Sequence, residues 1–171
     1  MRRVAVIASA SAVVLALAGL LSTSASSQAA ERTTSKSRTL TFDVVFSPFS
    51  LVAANNTRDP NSPIALGDEI VFHDQLLAKG KQVGDSLGSC VVVAVSPDIL
   101  ANCTAVFRVP GGNITAQFPN VPGPAPKDLA LTGGTGTYRS AGGDGTLVEF
   151  GNGRGSLTLR VLTFVARGGR G

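Results

Sequence analysis

The chain of 171 residues is long enough to bury the core of one domain. Its many Val, Thr and Gly residues and nine prolines, with few long helix-forming runs, favour β-structure. The formal net charge of +4 overstates its basicity, because removing Arg2 and Arg3 with a cleavable leader leaves 13 Lys and Arg against 11 Asp and Glu. The remaining basic residues lie mainly at the two ends without interleaved aromatic residues, which argues against nucleic acid as the main partner.

Residues 1–30 have the pattern of a secretory signal peptide. Arg2 and Arg3 precede an apolar run, Val4–Leu21, and the small residues that follow offer cleavage sites after Ala25, Ala29 or Ala30. The run is also just long enough to span a bilayer, so an uncleaved anchor is the alternative. Cleavage is favoured because the run is rich in Ala and Ser. The sequence therefore predicts a secreted, extracellular protein with no stable membrane anchor after cleavage.

The rest of the chain is predicted to be a loose, polar N-terminus over residues 31–38 and one domain over residues 39–166. Strands are predicted where apolar and polar residues alternate, or where β-branched residues run between turn signals. About eight are expected, over Thr39–Ser47, Glu69–Leu76, Cys90–Ser96, Cys103–Val109, Asn113–Phe118, Leu129–Leu131, Gly145–Phe150 and Ser156–Val165. Short, evenly spaced strands without a convincing helix are typical of a β-barrel or sandwich.

The connections between these strands are rich in turn residues. Asn55–Pro63 is a dense turn cluster, and Pro119–Pro126 holds four prolines in eight residues, so neither is a central strand. The glycine-rich segment Gly133–Gly143 lacks the Lys-Ser/Thr of a phosphate-binding loop and does not open a helix. Its glycines are therefore expected to serve tight turns rather than a nucleotide.

Two cysteines, Cys90 and Cys103, are the only ones in the chain. Export to an oxidising compartment favours their pairing. They also lie nearly equidistant from the predicted turn Ser96–Asn102, as a bridge across a hairpin requires. The sequence predicts a disulfide that contributes about 2–3 kcal/mol in the chain-entropy model. With two cysteines and one histidine, a structural zinc site is not expected.

Asp74 breaks the pattern of the second predicted strand. Ile70, Phe72, Asp74 and Leu76 share one face of the strand, so a carboxyl group interrupts an apolar surface. A partly desolvated carboxyl group has a raised pKa that suits acid–base chemistry, but an aspartate held by Arg or backbone N–H groups is an equal alternative. His73 lies on the more polar face and is expected to be solvated.

The same stretch resembles a known family. Gly67-Asp68, Phe72–Leu76, Val83-Gly84 and Gly88–Cys90 follow one another as in the allene oxide cyclase barrel, and Leu129–Gly143, LALTGGTGTYRSAGG, resembles a segment shared with plant dirigent proteins. The resemblance covers roughly Thr39–Val165. It implies an all-β fold, an eight-stranded antiparallel β-barrel with a hydrophobic cavity, usually trimeric and without a cofactor.

The resemblance also implies what such a barrel does. Allene oxide cyclases close an unstable fatty-acid epoxide to a cyclopentenone, and dirigent proteins steer coupling or ring closure of phenolic intermediates. Both hold an apolar reactive molecule in one conformation, which is catalysis by proximity and orientation.

The resemblance assigns roles to individual residues. Asp43 falls where the cyclases have a cavity glutamate, which implies that it faces the lumen; alternation alone leaves its orientation open. Val45 falls on a water-binding asparagine. Asp74 falls on a second cavity asparagine and matches an aspartate of dirigent proteins. Since this chain has neither asparagine, the resemblance is nearer to the dirigent arrangement and argues against the plant cyclase reaction.

These observations lead to one main hypothesis and two alternatives. The main hypothesis is a secreted barrel that binds a small hydrophobic molecule and guides its cyclisation or isomerisation without a cofactor or metal. Asp43 and Asp74 would be the acid–base or hydrogen-bonding groups, with Val45, Phe72 and Leu76 in contact with the ligand. The alternatives are a non-catalytic carrier of apolar ligands, and an exported structural barrel filled by its own side chains.

Overall fold

The computed structural model describes residues 33–48, 50–53 and 63–166. The signal peptide predicted over residues 1–30 and most of the turn cluster Asn55–Pro63 lie outside the described residues. The described chain folds into a 3₁₀ turn, Gly136–Tyr138, and nine β-strands: β1 Thr33–Val45, β2 Ser50–Val52, β3 Glu69–Ala78, β4 Lys81–Ala94, β5 Leu100–Val109, β6 Gly112–Asn120, β7 Lys127–Gly134, β8 Gly142–Glu149 and β9 Arg154–Ala166. No helix in this part of the chain is long and apolar enough to cross a membrane.

Eight of the strands close into an antiparallel barrel. Neighbours pair in the order β1-β9-β8-β7-β6-β5-β4-β3, and β3 returns to β1 through the pairs from Asp43↔Leu77 to Val45↔Gln75. The short β2 continues along the same edge of β3, from Ser50↔Val71 to Val52↔Glu69. The all-β fold class and the eight-stranded antiparallel barrel predicted from the sequence are confirmed.

Several of the predicted boundaries are wrong. Residues 33–38 were expected to be a loose N-terminus, but they belong to β1 and pair with β9 from Thr33↔Ala166 to Arg38↔Val161. Polar side chains are tolerated here because a backbone ladder does not depend on them and the side chains of residues 35–38 are exposed. β4 begins at Lys81 and so extends the valine-rich strand that carries Cys90, because residues 81–89 pair with β3 despite their glycines and charges.

The barrel has two unlike ends. Because the strands are antiparallel, the connections that follow β1, β4, β6 and β8 lie at one end, here called the mouth, and the other connections lie at the base. At the base the buried Tyr138 of the 3₁₀ turn donates a hydrogen bond to the Pro110 carbonyl at 3.0 Å. Ile114, Leu159 and Val161 are also nearly fully buried. The base is therefore packed, and open space remains towards the mouth.

The predicted disulfide is confirmed. Cys90 and Cys103 lie directly opposite each other on β4 and β5, and their sulfur atoms are bonded. Both side chains are buried. The bridge links the two strands of the hairpin from the inner side of the barrel wall, next to the cavity that Cys90 helps to line.

Candidate functional site

The lumen of the barrel holds a cavity of about 450 Å³. Four neighbouring strands, β3 to β6, present Phe72, Gly88, Ala105 and Ala116 at the same level of the wall. Three of these four residues are small, so they leave the lumen wide at this level. The Phe72 ring lies over Gly88, where an added Cβ would come within 2.9 Å of the ring. The barrel is thus hollow rather than filled by its own side chains, and the cavity has the size of small-molecule sites.

Most of the cavity wall is apolar, and its polar groups are few. Phenylalanines and branched aliphatic residues supply most of the surface, and the polar side chains that line it are those of Ser47, Asp74, Ser86, Asn120 and Glu149. The Oδ1 atom of Asn120 is buried and accepts no hydrogen bond from the described residues. Such a lining favours an apolar ligand that a small number of polar contacts would orient.

Asp74 projects from the inner face of β3 and is only 5% exposed. Its Oδ1 accepts a hydrogen bond from the Ser47 backbone N–H at 3.0 Å, and its Oδ2 accepts one from the Ser86 hydroxyl at 3.3 Å. Burial raises the pKa of this carboxyl group, and the negative charge of Glu149 raises it further; the two hydrogen bonds and His73 act in the opposite direction. Asp74 is thus positioned by the protein yet disfavoured as an anion.

The bond from Ser47 explains how the local chain shapes the site. β1 pairs with β3 as far as Val45↔Gln75, and β2 resumes the pairing at Ser50↔Val71. Residues 46–48 are not paired with β3, so the Ser47 N–H has no ladder partner on that strand and donates to the Asp74 side chain instead. The interruption of the wall and the buried carboxyl group therefore belong to one local arrangement.

Glu149, at the end of β8, is a second carboxyl group at the cavity wall. Its Oε2 lies 3.3 Å from Nζ of Lys127, whose side chain is 3% exposed. The ammonium group also donates hydrogen bonds to the backbone carbonyls of Gly123 and Ala125, the latter at 3.2 Å. The ammonium group needs such additional bonds because it is buried, whereas the Glu149 side chain is 30% exposed.

Sequence reasoning missed this ion pair although the signal was present. Lys127 shares its strand face with Leu129 and Leu131, and Glu149 shares its face with Leu147. These are the same interruptions of an apolar face that identified Asp74.

The structure separates the predicted site residues into two groups. Phe72, Asp74 and Leu76 all line the cavity. Asp43 is exposed, so its predicted inward orientation is wrong: the buried Phe42 and Val44 take the inner face of β1 and leave Asp43 on the outer face. Val45 is half-buried and is not among the residues that line the cavity. The alternation of apolar residues, rather than the resemblance, decides these orientations.

His73 lies outside the barrel, as expected of a solvated histidine. Its Nε2 is 3.1 Å from Asp85 Oδ2, and Asp85 also accepts two hydrogen bonds from Arg108, one of them from Nε at 2.6 Å. The hydrogen bond from Arg108 lowers the pKa of Asp85. This cluster joins β3, β4 and β5 on the outer surface and is separate from the cavity.

Together, the fold and the site define a hollow antiparallel barrel with a carboxyl group buried in an apolar lumen. Residues 50–154 match the family described as the allene oxide cyclase barrel like domain. The chain belongs to this family. It has no significant match among curated protein sequences.

Solved structures extend this relationship. A pyocyanin demethylase is 28% identical, with 72% of this chain and 99% of that chain aligned at a TM-score of 0.63. A pterocarpan synthase dirigent protein is 22% identical, with 80% and 89% of the two chains aligned at a TM-score of 0.55. A nonspecific heme-binding cyclase that catalyses a [4 + 2] cycloaddition is 15% identical, with 78% and 68% aligned at 0.57. The last two show that the fold is shared.

Proposed function

We propose that the lumen binds a small apolar molecule and guides its cyclisation or isomerisation. The observation that carries this proposal is the placement of Asp74, a carboxyl group that is 5% exposed and lines an apolar cavity of about 450 Å³. Burial raises its pKa, which brings the group closer to the range in which an acid can both donate and accept a proton near neutral pH.

The proposed reaction changes the bonds of the ligand but not its composition. Protonated Asp74 donates its proton to a basic atom of the ligand, and the resulting carboxylate takes a proton back from the rearranged molecule. The Ser47 N–H and the Ser86 hydroxyl hold the carboxylate in place and stabilise the charge that it acquires. The apolar wall selects one conformation of the ligand, which supplies proximity and orientation.

The names of the similar structures support a role with small molecules. They are a demethylase named for pyocyanin, a synthase named for pterocarpan and a cyclase of a [4 + 2] cycloaddition. A carrier would use the same cavity, with Asp74 anchoring the polar end of the ligand. Turnover separates the two functions.

Mass spectrometry of small molecules that co-purify with the protein from its native medium tests the proposal. We expect an apolar molecule to be released on denaturation. Incubation of this molecule with the protein should give a product of identical mass and different chromatographic retention. The Asp74→Asn variant should bind the molecule and form little product. An unchanged ligand would indicate a carrier, and a folded protein that binds no apolar molecule would contradict both functions.

We further propose that the protein is exported and cleaved within residues 25–31. The Arg-Arg start, the apolar run and the small residues that follow support this, and so does the disulfide, because such bonds persist in oxidising compartments. N-terminal sequencing of protein recovered from the culture medium should begin just after Ala25, Ala29 or Ala30. Protein that stays in the membrane fraction with an intact leader would contradict export with cleavage.

A further inference from the structure

The ionisable side chains at the lumen wall are of one sign. Asp74 and Glu149 line the cavity, and no Lys, Arg or His is among the described residues that do so. When they are ionised, carboxyl groups set in walls of low dielectric constant focus a negative potential into the enclosed space, and a cation bound beside Asp74 favours its ionised form. An anionic ligand would be repelled by these groups, and no positively charged side chain among the described lining residues would offset the repulsion.

Lys127 offsets part of this negative charge but is not among the residues that line the cavity. Its side chain is 3% exposed and does not line the cavity, and its ammonium group already holds two backbone carbonyls and Glu149. The ammonium group is therefore already engaged by three oxygen atoms of the protein. Glu149 lines the cavity, whereas Lys127 does not.

Aromatic rings also line the cavity beside the carboxyl groups. Phe46, Phe72, Phe107 and Phe118 all line the cavity. The faces of aromatic rings carry negative charge density and attract cations, and they also stack with flat ring systems. Rings and carboxyl groups together favour a ligand that is both flat and positively charged.

We propose that the lumen selects cationic aromatic molecules, such as protonated or N-alkylated heteroaromatic rings, over anionic ones of the same shape. This inference rests on the proposed binding of an apolar ligand in the same cavity and adds the charge of that ligand. The negative wall stabilises the cation, the phenylalanines contact its ring system, and a carboxylate on the ligand is excluded.

Binding of four fluorescent probes tests this preference. The probes form two matched pairs: 10-methylacridinium with neutral acridine, and acridine-9-carboxylate with neutral acridine-9-carboxamide. They are titrated into the purified protein at about pH 8, where ordinary carboxyl groups are ionised. The cation should bind about tenfold more tightly than acridine, and the anion about tenfold more weakly than the amide. An anion that binds as tightly as its amide would overturn the inference.

Variants identify the groups responsible. Asp74→Asn and Glu149→Gln should each reduce the preference for the cation about threefold, and Lys127→Gln should increase it by a similar factor, because the positive charge beside Glu149 is lost. Asp128→Asn is the matched control, since it removes one exposed carboxylate beside Lys127 and should change nothing. If Glu149→Gln fails to fold, the opposite effects expected of the other two variants still decide the matter.

The outcomes also separate this inference from the proposed function. If all four probes bind with the same affinity, the cavity takes apolar ligands but the charge preference is wrong. If none binds to a protein shown to be folded by its thermal melt, the proposed function fails and the charge preference fails with it. A cation preference that is undiminished in both Asp74→Asn and Glu149→Gln would assign the effect to other groups and overturn the inference.

Discussion

Asp74 is held by two hydrogen bonds, yet its burial still raises its pKa. The two effects act on different properties of the side chain. The bonds from Ser47 and Ser86 fix where the oxygens lie, whereas the apolar surroundings decide how readily the group gives up its proton. A carboxylate that served only to stabilise the fold would be expected to gain from ionisation, as Asp85 does beside Arg108 on the outer surface.

Substitution of Asp74 by Asn should separate its chemistry from its contribution to the fold. The replacement keeps the shape and an oxygen acceptor and removes a buried charge, so the free energy of unfolding at neutral pH should change by less than about 1 kcal/mol. Turnover of the ligand should be lost. Asp43→Asn is the natural control, because it makes the same change on the outer face and should leave both quantities unaltered. Thermal melts and ligand assays on both variants measure stability and turnover. A loss of about 1–3 kcal/mol in the free energy of unfolding of Asp74→Asn alone would instead indicate a structural carboxylate.

The free energy of unfolding should depend on pH in a way that reflects the raised pKa of Asp74. Burial raises its pKa in the folded state above the ordinary value of an aspartate. The folded protein therefore binds this proton more tightly than the unfolded chain does, and the contribution of Asp74 to stability is fully present below the unfolded pKa and is lost as the pH rises through the folded one. Urea unfolding at several pH values should show the wild type losing stability relative to Asp74→Asn as the pH is raised from about 4, the ordinary pKa of an aspartate. A difference that stays constant as the pH is raised would contradict the raised pKa.

Individual residues of the site differed in how far the sequence could predict them. Asp74 was identifiable because a charge within an apolar face is a local pattern, and Lys127 and Glu149 carried the same pattern at the ends of their strands. That they meet could not be predicted, because the approach of β7 to β8 depends on the register of the whole sheet. Asp43 shows the reverse case, in which a resemblance suggested an inward side chain and the flanking Phe42 and Val44 determined an outward one.

The β4–β5 hairpin shows why strands were easier to place than their ends. Its central pairs, Cys90↔Cys103 and Val92↔Ala101, lie in apolar runs that the sequence displays plainly. The first half of β4 contains Gly84, Asp85 and Gly88, and these residues weaken the pattern without preventing pairing with β3. Boundaries depend on the backbone ladder of a neighbouring strand, which local composition does not encode.

Removal of the disulfide should weaken this hairpin without abolishing the fold. The bridge closes a loop with a sequence separation of 13 and faces a buried part of the wall. The chain-entropy model therefore assigns it about 3 kcal/mol. The double variant Cys90→Ala/Cys103→Ala should lose about that amount in urea unfolding and keep its far-ultraviolet circular dichroism. Alkylation of the unreduced wild type should label no cysteine, and two labelled residues would contradict the pairing.

At the scale of the whole molecule, the hollow lumen results from closure and from the distribution of side-chain volume. The pairing of β1 with β3 joins residues near 44 to residues near 76, and it is this contact that turns a sheet into a barrel. Closure removes the free edges of eight strands, and small barrels of this size can be either filled or hollow. The base is filled by large side chains, whereas Gly88 and Ala105 keep the middle open. The number of strands was predictable from the spacing of the apolar segments. The cavity was not, because it depends on which residues of neighbouring strands lie side by side, and the pairing register decides this.

The cavity itself can be tested by filling it. Ala105 is buried, lines the lumen and faces open space, so Ala105→Leu adds apolar atoms where the ligand is proposed to lie. We expect ligand binding to fall by at least about tenfold, because the added side chain occupies the ligand volume. Stability should be kept or slightly raised, since newly buried apolar surface contributes about 25 cal/mol per Å². Ala130→Leu is the matched control: Ala130 is exposed on β7, and the same substitution there should leave binding unchanged. Titration of the co-purified ligand into both variants gives the answer, and full binding by Ala105→Leu would place the ligand outside the lumen.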